Sequence, residues 1–137
     1  MLFGMAGVII PLFTKRDFDF SNGTATVVVV KSVDTSRYTE GILNLRVHTN
    51  TISGTGGGTI AAHAKAIALT AEDPVLDFID GTTLAAASIA TGTLVGSLVR
   101  GPLTTGFGGA LQITVVGSKG TSAIVRATVS AELVLKE

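Results

Sequence analysis

Two histidines, an acidic cluster and a glycine run are the stretches of this sequence whose residue types could do chemistry. His48 and His63 lie on two alternating segments and would face each other if those segments paired. Two imidazoles are only half of a tetrahedral metal site, which needs further ligands such as Asp or Glu. Both sit on mixed polar faces, as surface histidines do. Glu72, Asp73, Asp77 and Asp80 are the dense carboxylates. Their spacing departs from the DxDxDG pattern of a calcium loop, and Pro74 interrupts it. They read as a solvated connection with Asp73 or Asp77 capping a turn. Gly54 to Gly58 invites comparison with phosphate-binding loops. No Lys follows these glycines and the next segment reads as a strand, so the run is expected to be a hairpin loop. Nucleophilic catalysis needs a Ser or Thr placed by a base and an orienting acid. GxSxG does not occur, and nothing local selects a serine for His48 or His63. No catalytic, cofactor-binding or metal-binding residue is assigned, no cofactor is expected, and the chain is read as non-enzymatic.

Composition narrows the classes further. Lys+Arg and Asp+Glu are balanced at 10 each. That argues against nucleic acid as a partner, which calls for a basic excess or stripe. Zero net charge also removes self-repulsion between copies. Charged residues make up 15% of the chain, where about 25% is usual, and the mean hydropathy is +0.55. So little charged surface points to a homo-oligomer or larger assembly. The chain has no cysteine, which leaves the redox compartment unread. With no Trp and the single Tyr38, it lacks aromatic platforms for sugars and aromatic girdles for a membrane barrel. Met1–Phe13 is apolar but shorter than the roughly 20 residues of a membrane span. Its basic pair, Lys15 and Arg16, follows the apolar stretch rather than preceding it as in a signal peptide. Neither a membrane nor a small-molecule substrate is expected.

The elements that would position these residues are strands. Thr121–Lys136 places Ala123, Val125, Ala127, Val129, Ala131, Leu133 and Leu135 at every second position, which gives one strand with a buried face. Straight, it would reach roughly 50 Å, so it should bend at a corner, bulge or project past its domain. It is expected to pair with Ala110–Val116 through the Gly117–Gly120 turn. Glu40–Thr51 sets Leu43, Leu45, Val47 and Thr49 on one face and Ile42, Asn44, Arg46, His48 and Asn50 on the other. Thr59–Thr70 is alanine-rich, which favours a helix. Yet His63, Lys65, Ile67 and Leu69 alternate with Ala62, Ala64, Ala66 and Ala68, which predicts a strand paired with Glu40–Thr51 across the glycine loop. Phe18–Phe20 and Thr24–Lys31 flank Ser21-Asn22-Gly23 and read as a hairpin. The Val27–Val30 run implies burial on both faces, hence a central strand.

Leu84–Ala90 and Thr93–Arg100 read as two further strands split at Gly92, and Gly101–Gly109 as a loop. Val33–Tyr38 and Ala71–Asp80 read as polar connections, the second with a turn of helix at Pro74–Phe78. Residues 1–20 form an extended apolar arm or first strand, and its Met1–Phe13 stretch should bury Leu2, Phe3, Val8, Ile9, Ile10, Leu12 and Phe13. The surface it covers is either its own sheet or a neighbouring subunit. Residues 21–137 form a single domain. About eight strands with little or no helix and no internal repeat predict an all-β, two-sheet β-sandwich of jelly-roll type.

One resemblance adds to this. The segment VDTSRYTEGILNLRVHTNTI, the acidic connection carrying Glu72, Asp73, Pro74 and Phe78, and the terminal ATVSAELVLK together resemble small virion proteins of tailed bacteriophages and gene-transfer particles. The likeness spans Val33 to Lys136. It implies a β-sandwich that decorates or connects a shell, a virion location, other capsid proteins as partners, and no catalytic residues. The reading from sequence is therefore a structural virion protein, a phage head decoration or capsid-associated subunit. It would bind by subunit packing and strand addition at sheet edges. The alternative is a non-enzymatic binding or adhesion module such as a tail- or fibre-associated β-domain.

Overall fold

The computed structural model of the chain describes residues 7–67, 83–103 and 109–137. Among these are eight strands and no helix: β1 (Gly7–Asp19), β2 (Ala25–Asp34), β3 (Glu40–Asn50), β4 (Thr59–Ile67), β5 (Thr83–Ala90), β6 (Leu98–Pro102), β7 (Ala110–Ser118) and β8 (Arg126–Lys136). They form two four-stranded antiparallel sheets, sheet A in the order β1-β8-β3-β6 and sheet B in the order β2-β7-β4-β5. The pairing is nested. β1 pairs with β8, β2 with β7, β3 with β6 and β4 with β5, while β3·β8 and β4·β7 complete the sheets. A single long antiparallel ribbon rolled onto itself produces this order, which is the jelly roll.

The core lies between the inner faces. Leu43, Leu45 and Val47 of β3 and the Ala127–Leu135 alternation of β8 face it from sheet A. Ile60, Ala62, Ala64, Leu111, Ile113 and Val115 face it from sheet B. The period-two expectations for β4 and β8 hold, and β3 alternates as expected up to Val47. Past Val47 the β3·β8 register shifts by one residue. A bulge reverses the faces beyond it, so Thr49 is exposed rather than buried. The terminal segment becomes regular strand only at Arg126. Ala123, ahead of it, is exposed, and the strand's eleven residues fit within the sheet.

Three expected pairings are wrong, and for one reason. Phe18–Phe20 and the valine run are not a hairpin, because β1 and β2 lie in different sheets. β3 does not pair with β4 across the glycines, and β7 does not pair with β8 through Gly117–Gly120. Each turn carries the chain from one sheet to the other, since in a rolled ribbon sequence neighbours swap layers. Only β4 and β5 are both adjacent in sequence and paired. The valine strand β2 is consequently an edge rather than a central strand, with Val28 at 48% exposure. Two register shifts against β7 let Val27, Val30 and Val33 all meet core positions of that strand. β2 also runs on through Val33 and Asp34, and β6 is confined to Leu98–Pro102, taking Gly101 out of the expected loop.

The glycine run is a corner packed on its surroundings. Thr121 N–H donates to Gly56 O at 2.9 Å, and Gly58 N–H donates to Ser122 Oγ at 3.0 Å. A Cβ on Gly56 would overlap the Thr121–Ser122 backbone, so glycine is needed there for close approach as much as for its turn. The first strand pairs with β8 of its own chain, with Val8, Ile10, Leu12 and Phe13 half-buried on the core. Ile9 is exposed rather than buried as expected, because strand alternation turns it to the face opposite Val8 and Ile10. Leu2 and Phe3, Leu69, the 71–80 connection and residues 104–108 lie outside the described residues.

Among the described residues the sandwich is closed along one side and open along the other. β5 and β6 lie against each other, with Gly101 so close to Ala86 that a Cβ there would strike the Ala86 carbonyl. β1 and β2 barely touch.

Candidate functional site

The structure separates the two histidines. His63 is on the outer face of sheet B, in register with Thr114 and Ala86. His48 is on sheet A, at the β3·β8 register shift between Val47 and Thr49. Bulges re-aim side chains, and here the bulge brings His48 Nε2 to 2.7 Å from Ser130 Oγ. The same hydroxyl accepts the N–H of Lys15 at 2.8 Å. Lys15 is the one non-glycine residue with positive φ among the described residues, at 45°. That backbone is strained for a side chain and persists only where the surroundings hold it. Ser130 is thus the fastening point for a kink in β1.

A serine beside a histidine is the start of a nucleophilic constellation, which requires a third group orienting the base. Among the described residues no carboxylate hydrogen-bonds His48. The nearby carboxylate of Asp17 is engaged elsewhere, taking a forked hydrogen bond from Arg126, with Nη2 to Oδ2 at 2.8 Å. That contact raises the Arg126 pKa through hydrogen bonding and charge and holds the lower half of β1 to β8. Ser130→Ala is expected to cost about 2 kcal/mol, the net worth of its two hydrogen bonds, and to speed hydrogen exchange at the Lys15 amide. Unchanged protection of that amide would show that another contact holds the kink.

The outer face of sheet A is hollowed beside this kink into a groove of about 230 Å³, lined among others by Pro11, Phe13, Asn44, Arg46, Leu98 and Glu132. Asn44 lies at its floor, 9% exposed, and its Oδ1 has no hydrogen-bond partner. Buried acceptors left unpaired are rare and costly. Neither Arg46 nor Glu132 has an ion-pair partner among the described residues, whose ion pairs are Arg37–Glu137 and Arg126–Asp17. The arrangement offers an acceptor, a cation and a carboxylate beside an apolar wall. That set matches the polar groups of a bound segment.

His63 is half-buried. Burial first, and then the nearby charge of Lys65, hold its pKa below the usual imidazole value of 6.5. The unfolded chain therefore takes up the proton before the folded one does. Stability is expected to fall as pH drops below 6.5 and to level off once the folded imidazole is also charged. His63→Gln should flatten that limb in a profile of Tm against pH. A limb that survives the substitution would place the titration elsewhere.

No metal-binding cluster is found among the described residues, and Glu72, Asp73, Asp77 and Asp80 lie outside them. No described helix is long and apolar enough to cross a membrane. Sequence reasoning missed Ser130, Asn44 and the Lys15 kink. The polar alternation of β3 and β8 places these residues on outer faces, but only the β3·β8 and β1·β8 registers bring them together.

No family model matches the sequence, and no curated protein matches it. Solved structures match the fold. The VP2 subviral particle of infectious bursal disease virus aligns with a TM-score of 0.57 at 18% identity, over 96% of this chain and 33% of that one. The structure of the Gx strain of the same virus aligns at 0.51 and 16% identity, over 97% and 32%. Dimeric latent PorU from Porphyromonas gingivalis aligns at 0.55 and 11% identity, over 99% and 13%. This chain spans about a third of the length of the viral chains it matches. At such identities the likeness is one of fold, and by fold the chain resembles the jelly-roll domains of viral capsid proteins.

Proposed function

We propose that this chain is a structural protein of a viral particle, a head decoration or capsid-associated subunit that works by packing against other subunits. The observation that carries the reading is the nested jelly-roll pairing, aligned with the viral VP2 fold over 96% of the chain. The surface supports it. Sheet B presents Thr26, Val28, Ala61, Ala86, Ser88 and Val116 outward, with Lys65 as the charge on β4. A face so poor in charge suits burial between subunits. The role is non-enzymatic, the location the virion, and the partners are copies of itself and other shell proteins. Immunogold electron microscopy of particles from a culture that makes the protein is expected to label their surface. Unlabelled particles with the protein free in the supernatant would overturn the reading.

A second reading is favoured by the match to latent PorU, which covers 99% of this chain. There the same sandwich is a small part of a longer chain, as a binding or adhesion module would be. Label on cell surfaces rather than particles would select it.

A further inference from the structure

We propose that the chain pairs with a second copy of itself along the free edge of β2, at Ala25–Val30, extending sheet B across a two-fold axis. This rests on the reading that the protein works by subunit packing, and it names one such contact.

A jelly roll leaves four strand edges, here β1 and β6 in sheet A and β2 and β5 in sheet B. An edge strand presents unpaired N–H and C=O groups to any chain that can match them, and proteins guard such edges with proline, charge, bulges, shortness or a cover. Three of the four are guarded. β6 has five residues and carries Arg100 and Pro102. β5 is covered by β6, with Gly101 against the Ala86 backbone. β1 carries Pro11, two register shifts and the charged run Lys15-Arg16-Asp17.

β2 is different. It is ten residues long with no proline, and Ala25 to Val30 holds no charge. Its pairing with β7 is regular from Ala25 to Val28, and the shifts come only after that. β-branched residues favour strands, and this segment contains four valines in succession. Val28 is 48% exposed. Val27, Val29 and Val30 are only half-buried on the core, because β1 does not close over them.

The charge pattern points to a second copy as the occupant. A two-fold contact must complement itself, and like charges placed opposite each other are destabilising. Antiparallel pairing of two β2 strands centred on Val27, within the stretch whose register is regular, sets Val27 against Val27 and the outward Thr26 against the outward Val28. Lys31 of each copy then lies beyond the paired stretch, at opposite ends of the seam, so no like charges meet. The same operation on β1 would crowd two copies of its charged run into one seam.

Sedimentation velocity on the full chain over a concentration series, with Val28→Lys and Leu94→Lys, tests this. Leu94 is 75% exposed in the turn before β6 and serves as the surface control. The expected result is a dimer for the wild type and for Leu94→Lys, and a monomer for Val28→Lys. Hydrogen exchange on the wild type should show the Thr26–Val30 amides protected when concentrated and exchanging faster on dilution. If Val28→Lys does not fold, the exchange data decide alone. A wild type that stays monomeric overturns the proposal. So does a dimer that survives Val28→Lys, or protection of β2 that ignores concentration. A surviving dimer would leave subunit packing intact, whereas unlabelled particles with the β2 dimer present would remove the virion reading and keep this one.

Discussion

Replacing Gly117 by alanine is expected to lower stability by about 3 kcal/mol, a drop of roughly 10 °C in Tm for a domain of this size. Gly117 lies on β7 directly under Phe20, and an added Cβ would sit within the ring. Phe20 is 5% exposed and stacks against Phe18, with centroids 6.3 Å apart. Its N–H also donates to Val125 O at 2.7 Å. The ring therefore has no free direction in which to retreat, and overpacking of a fixed core forces backbone shifts. The check is a double-mutant cycle. Phe20→Leu should cost stability by itself, and in its background Gly117→Ala should cost less than in the wild type. Equal costs in the two backgrounds would mean that the ring is not what the methyl strikes.

Val129→Asp is expected to be the most damaging change on β8. Val129 is fully buried on one of the two inner strands of sheet A, among the inner faces of both sheets. A carboxylate there would be unpaired, which costs several kcal/mol or raises its pKa until it protonates. The sign of the pH effect follows. With the folded pKa raised, the penalty is absent below the ordinary Asp value and grows as pH rises toward the folded one. The variant should thus recover stability toward acid, opposite to the His63 limb. Thr128→Asn, one residue away and facing outward beside Asp17, should cost far less. Equal losses in thermal melts of the two variants would show that both faces of β8 are buried.

How much of this was legible in the sequence differs by level. The faces of β4 and β8, and of β3 as far as Val47, could be read because alternation is a local property and the core enforces it. Thr49 could not, because a bulge is a difference between two strands and only one strand is visible in a sequence. Pairing partners failed more broadly. Asn22-Gly23 and Gly117–Gly120 have the composition of hairpin turns, and corner turns between layers use the same residues for the same φ freedom. Nothing local tells a chain that folds back in one sheet from a chain that crosses to the next. The Ser130–His48 contact inherits this limit, since its two residues meet only through β3·β8 pairing. Gly117 carried no signal beyond being a glycine, as its constraint comes from a ring nearly a hundred residues earlier in the chain.

The nested pairing also bears on how the molecule comes to be folded. Gly7 pairs with Lys136, and Ala25 with Gly117, so most ladders join residues made at very different times. Domains dominated by such distant contacts fold slowly, typically in milliseconds to seconds. On a ribosome the β4–β5 pair alone can close early, as the innermost fold of the ribbon. Sheet A has to wait for β8, one of its two inner strands, which is made after the other seven. Until it arrives, β1 and β3 have no partner between them and the valine edge of β2 has no β7 for most of synthesis. The exposed interval is longest for the segment with the greatest tendency to pair with another chain, so yield on expression should depend on temperature and on chaperones more steeply than the stability of the finished fold does.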